Sequence, residues 1–221
     1  MQAMSGWGDR RQQGGGRPDN VTPFRRNGGR QPGHSSSHPP AINLPPATKV
    51  VALVLVVIHV LDWISGGAIA RYCVFTGLRF SLHSLITLFT YALIHANPGH
   101  LAMNIVSLAI LGKVLEPRIG ARWLVIMLAM GSGVGAIVHT LISSGYLIGI
   151  SAGVGALYGV ALPGAKTGRF GPYDRLIILL SILFVAVSVL GLMLPILPGV
   201  AHAAHLGGFL AGLFMSHRLI R

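Results

Sequence analysis

Charge is scarce in this chain: Asp, Glu, Lys and Arg make up 10% of its 221 residues, where soluble domains carry roughly 25%. With hydrophobic residues at 52% and a mean hydropathy of +0.66, that scarcity excludes an ordinary soluble domain and leaves a membrane protein. A single cysteine, Cys73, excludes an intramolecular disulfide framework and a Cys-based metal site. Acidic residues number five, and no His/Asp/Glu group has metalloprotease spacing. No Gly-rich loop followed by Lys is present to cradle phosphate. Neither a metal nor an organic cofactor is therefore expected. An internal repeat is also missing between the first and second halves of the apolar region, which argues against a small transporter.

Apolar runs and unevenly placed basic residues fill the space those absences leave. Arg10, Arg11, Arg17, Arg25, Arg26, Arg30 and Lys49 all precede the first long apolar run, in a stretch rich in Gly, Pro, Ser, Gln and Asn. Residues 1–47 cannot bury a core and are read as a disordered basic tail. The tail is the wrong shape for a cleaved signal peptide, and no small-residue cleavage pattern follows the first apolar run. Its charge suits a cytoplasmic topology anchor touching anionic membrane lipid, and nucleic acid is not the expected partner.

Residues 48–221 read as an all-α, polytopic domain of six spans, each near the roughly 20 helical residues a bilayer core requires. The spans are Lys49 to Gly66, His100 to Leu115, Arg122 to Ile142, Ser151 to Ala165, Arg175 to Leu197 and Ala201 to Leu219. The fourth is short and Gly-rich, which suits a helix wrapped by its neighbours. The segment "SLHSLITLFTYALIHAN", Ser81 to Asn97, is apolar enough to be a seventh, but the charge rule decides against it. With six spans and the N-terminus inside, every Lys and Arg except Arg71 and Arg79 is cytoplasmic, whereas a seventh span would turn all the later basic loops outward. The segment is therefore expected to lie laterally, half buried, before the second span. The expected location is a bacterial plasma (inner) membrane, crossed several times, and the charge rule puts both termini on the cytoplasmic side.

This topology starts the second, fourth and sixth spans at the outer face, and each carries polar residues near its start. These are His100 and Asn104, Ser151, and His205. At about 1.5 Å rise per residue, all four lie within roughly 10 Å of the outer helix ends. Intramembrane polar residues are costly and usually mark function or pairing. Ser with His can supply a nucleophile and a general base. A helix start supplies a backbone N–H for an oxyanion, to which His100 and Asn104 can add side-chain donors. Gly153, Gly155 and Gly159 on the fourth span, with Gly207, Gly208 and Gly212 on the sixth, let the two backbones approach closely enough for Ser151 to reach His205. His202, one turn before His205, is the rival base, and the Gly spacing favours His205.

"GIS" ending at Ser151, "HLGGFLAG" from His205, "HLAMN" from His100 to Asn104 and "LEPRIG" from Leu115 to Gly120, in that spatial logic, resemble the rhomboid intramembrane serine proteases. The resemblance implies a six-helix fold around a water-accessible cavity and a Ser/His dyad without Asp. Its implied substrates are transmembrane proteins, cut near small, helix-destabilising residues. By position it implies Ser151 as nucleophile, His205 as general base, and His100 with Asn104 and the Ser151 N–H as the oxyanion hole. It also implies that "LEPRIG" is a turn after the second span, and that substrates enter between the second and fifth spans.

Three positions depart from the family pattern. Ala152 replaces the usual Gly after the nucleophile, and Ile86-Thr87 replaces a Trp-Arg pair that helps anchor the first loop. Gly155 stands where an aromatic residue commonly stacks on the catalytic His, with Tyr158 as a candidate substitute. The alternative function is that of a proteolytically inactive rhomboid-like protein that binds transmembrane clients, which predicts loss of Ser or His; both are present.

Overall fold

Eight α-helices account for most of the computed structural model, which describes residues 43–194, 197 and 199–220. They are α1 (Pro46–Ile64), α2 (Ala68–Cys73), α3 (Leu82–Thr90), α4 (Pro98–Ile119), α5 (Ala121–Ile142), α6 (Ser151–Lys166), α7 (Asp174–Met193) and α8 (His202–Leu219). The expected disordered tail, as far as residue 42, lies outside the described residues, as do Pro198 and Arg221. Local chemistry sets the helix starts. Pro46 and Pro98 open α1 and α4, where a missing N–H is harmless and a fixed φ is helical already. Asn97 caps α4 by accepting the His100 N–H at 2.9 Å, and Ser81 caps α3 by accepting that of Ser84 at 3.1 Å.

The all-helical polytopic architecture is as expected, with differences at several boundaries. α1 begins at Pro46, inside the stretch read as tail. α4 continues through Pro117 to Ile119, so "LEPRIG" is the last turn of a helix rather than a turn beyond it. The chain leaves that helix at Gly120, whose φ of 83° favours glycine. α7 stops at Met193, short of Leu197. The short α2 was not foreseen. Its Ala70 N–H donates to Asp62 Oδ1 at 2.7 Å.

Among the described residues, α1, α4, α5 and the stretch containing α7 are long and apolar enough to cross a bilayer on their own. The other two expected spans do not meet that standard. α6 has only 16 residues, and α8 is interrupted by His202, His205, His217 and Arg218. Both are covered by neighbours, so they meet protein instead of lipid along much of their length. A Cβ added at Gly208 or Gly212 of α8 would run into the backbone carbonyls of Ala152 and Ala156 on α6. One added at Gly159 would strike Phe209 of α8. On the other side, a Cβ at Gly153 would stand 2.5 Å from the Leu128 carbonyl of α5. Interhelical packing in lipid depends on such close backbone approach, and it makes α6 the central post of the bundle.

Outward faces are apolar, and the largely apolar interior also holds polar groups. α3 exposes Leu82, Leu85, Ile86 and Phe89 while burying Ser84 and Thr87. With the 3-10 turn Tyr91–Leu93 it forms one apolar segment too short to span, in keeping with a lateral placement. Its anchoring contacts include several away from Ile86 and Thr87. Tyr91 Oη donates to the Ser132 carbonyl at 2.8 Å, Gly149 N–H donates to the Tyr91 carbonyl at 2.9 Å, and Phe75 pairs with Leu147 in an isolated antiparallel bridge.

At the end of the bundle opposite the start of α6, Glu116 and Arg118 tie separate pieces of chain together. The buried Glu116 carboxylate accepts the N–H groups of Ala47 and Thr48, each at 2.8 Å, and the Thr48 hydroxyl at 2.7 Å. It thereby satisfies the first turn of α1 and complements its dipole. Gly112 leaves room for Thr48. Arg118 donates to the carbonyls of Val114 and Arg169 at 2.6 and 2.7 Å and stacks over Phe170. Glu116→Ala is expected to destabilise the protein by about 2 to 4 kcal/mol, because it strands buried donors that had a charged acceptor. Thermal unfolding in detergent checks this, with Glu116→Gln falling between the two.

Candidate active site

α6 begins at Ser151, and its first intrahelical hydrogen bond runs from Val154 N to Ile150 O at 3.0 Å. The N–H groups of Ser151, Ala152 and Gly153 therefore precede the helical ladder, at the positive end of the helix dipole. Gly149, with φ 101°, turns the chain into this helix. It also lets the His100 ring lie close: a Cβ at Gly149 would stand 2.5 Å from His100 Cε1. From α8, His205 places Nε2 2.8 Å from Ser151 Oγ. Ser151, His205, His100 and Asn104 all line one cavity of about 660 Å³, together with Tyr146, Met103 and residues of α7. Thus the four residues singled out in the sequence, drawn from three helices, share one concave site.

Within that cavity Asn104 Nδ2 donates to the His100 carbonyl at 3.0 Å, which leaves its second N–H uncommitted by that bond. His95, buried behind, sets its ring edge-on to His100 at 5.2 Å between centroids. His202 does not take the place of His205. Its ring lies against Gly191 of α7, where no Cβ would fit.

These contacts put a hydroxyl and an imidazole in hydrogen-bond contact at a helix N-terminus inside a membrane bundle. A family model described as the Rhomboid domain matches residues 82–221, from the start of α3 through α8. The chain belongs to the rhomboid family. Among its relatives, RHOMBOID-like protein 5 of Arabidopsis thaliana is 32% identical over 157 residues, covering 70% of this chain and 48% of that protein. RHOMBOID-like protein 1 of the same plant is 28% identical over 134 residues, covering 60% and 34% respectively. The chain therefore matches less than half the length of either relative.

In this rhomboid two of the departures, Ala152 and Gly155, have physical counterparts. Ala152 fits because Gly135 of α5 faces it: a Cβ there would stand 2.7 Å from that of Ala152. Gly155 leaves open a space that Phe184 of α7 fills. A Cβ at position 155 would lie 3.0 Å from two atoms of the Phe184 ring. That ring packs on His205 with centroids 5.0 Å apart and planes tilted by 33°. Tyr158 does not reach His205. It packs on Phe184 at 5.3 Å between centroids, and its hydroxyl donates to Ser107 Oγ at 3.2 Å. The aromatic cover on His205 is thus present but comes from α7.

Sequence reasoning missed two residues here, Phe184 and Ser188. The second is almost fully buried, at 1% exposure, and its Oγ lies 3.5 Å from His205 Nδ1. A signal existed for Ser188, since a hydroxyl in an apolar span is itself a pointer. None existed for Phe184, one apolar residue among many.

Proposed function

We propose that this protein is an intramembrane serine endopeptidase that hydrolyses peptide bonds of transmembrane protein substrates. The observation that carries this reading is the 2.8 Å contact between Ser151 Oγ and His205 Nε2 inside the cavity. Ser151 Oγ attacks the scissile carbonyl carbon as its proton passes to His205 Nε2. The oxyanion so formed accepts hydrogen bonds from the Ser151 N–H, the Asn104 amide and the His100 ring. His205 then returns the proton to the departing amine, leaving Ser151 acylated. Water, giving a proton to His205, displaces the acyl group and restores the serine.

Family membership supports the protease reading without deciding it, because a rhomboid fold also serves client binding. The Lys and Arg bias supports an orientation with both termini cytoplasmic and the cavity mouth on the opposite face. The location proposed is a bacterial plasma membrane, while the matched relatives are plant proteins. The test is cleavage of a transmembrane reporter helix, with small residues near its outer end, in proteoliposomes. A specific cut lost in Ser151→Ala establishes the activity, and binding of the reporter without any cut favours the client-binding alternative. Asn104→Ala is expected to lower kcat by about 10² to 10³ while the protein stays folded, since the lost donor acts mainly in the transition state. A fall in folded yield as large as the fall in turnover would assign Asn104 to packing.

A further inference from the structure

His205 Nδ1 faces the Ser188 hydroxyl at 3.5 Å, and that hydroxyl is already committed: Ser188 Oγ donates to the Phe184 carbonyl at 2.7 Å. A hydroxyl has one proton and two lone pairs. With the proton spent on Phe184, only a lone pair is left to meet His205 Nδ1. An unprotonated Nδ1 would set lone pair against lone pair in a buried place, whereas a protonated Nδ1 donates.

The geometry points to Ser188 as the positioning residue of His205: its oxygen accepts the Nδ1–H and holds the imidazole in the tautomer whose Nε2 lone pair faces Ser151. The consequence for turnover rests on the proteolytic reading, while the tautomer rests on the hydrogen bonds alone. A dyad without a carboxylate needs some group to fix which nitrogen accepts the serine proton, and here α7 provides it. The contact is long in the resting state. It shortens and strengthens as Nε2 gains a proton, because Nδ1–H then becomes a charge-assisted donor.

Phe184 completes the arrangement one helical turn away. Its carbonyl aims the Ser188 hydroxyl, its ring packs on the imidazole, and Tyr158 packs in turn on that ring. His205 therefore takes its backbone from α8, its hydrogen-bonded serine from α6 and its orientation from α7.

The decisive measurement is ¹⁵N NMR of protein labelled at histidine, with the His205 resonances identified by their absence from His205→Asn. A protonated Nδ1 and an unprotonated Nε2 are expected in the wild type at a pH where the ring is neutral. In Ser188→Ala the two tautomers are expected to mix, and fluorophosphonate labelling of Ser151 should slow about tenfold, the worth of one neutral hydrogen bond. Ser188→Thr, which keeps the hydroxyl, should recover both. A wild-type ring protonated on Nε2 would overturn the assignment without any variant being needed. So would a folded Ser188→Ala protein with an unchanged tautomer and labelling rate. If the wild type shows the expected tautomer but never labels, Ser188 still positions His205 and the protease reading is what fails.

Discussion

Ser151→Ala and His205→Ala are each expected to abolish covalent labelling by a fluorophosphonate probe and to lower substrate cleavage by at least about 10⁴-fold. In the proposed mechanism the alanine at position 151 removes the atom that forms the acyl bond. The one at 205 leaves a serine hydroxyl with no base at 2.8 Å, in a setting too apolar to ionise it unaided. Because the two residues act as a unit, the double variant should be no worse than either single one. Both are substitutions to a small side chain at a cavity wall, so the purified proteins should run as monodisperse species in detergent. Labelling of a folded Ser151→Ala protein would move the nucleophile elsewhere, and no labelling of a folded wild type would favour the client-binding alternative.

Gly212→Val is the second large effect, and it falls on stability. The added Cβ would be driven into the Ala156 carbonyl of α6, a backbone atom that cannot rotate aside. The α6–α8 interface must open along its length, and a loss of more than about 3 kcal/mol is expected, at the severe end of overpacking. Size-exclusion profiles and thermal unfolding in detergent would show aggregation or a large fall in melting temperature. Leu210→Val, on the exposed side of the same helix, should behave as wild type. If Gly212→Val folds normally, α6 and α8 are not held together by backbone contact.

Much of the architecture was legible because lipid simplifies the code. Long apolar runs had to be helices, and the distribution of Lys and Arg arbitrated the Ser81 segment, whose buried Ser84 and Thr87 and exposed leucines fit the lateral reading. Spacing alone put Ser151 and His205 at one depth. What the sequence could not supply were contacts between residues with no periodic relation. Glu116 reaching the start of α1 is one case, and the extension of α4 through Pro117 is another, since a proline there reads as a stop. Phe184 is the clearest. An aromatic side chain in an apolar helix carries no mark of what it covers, and the vacancy at Gly155 reads as a lost ring until the fold returns one from α7.

The dependence of α6 on α8 also orders events during synthesis. α6 is short and rich in glycine, α5 covers one of its sides at Gly153, and the surface that covers the Ala152 and Ala156 carbonyls arrives only after α7 has been threaded. Until α8 docks, the nascent chain holds Ser151 without His205 and an α6 covered on one side only. The contact between Ser151 and His205 and the final seating of the bundle therefore arise in the same late step.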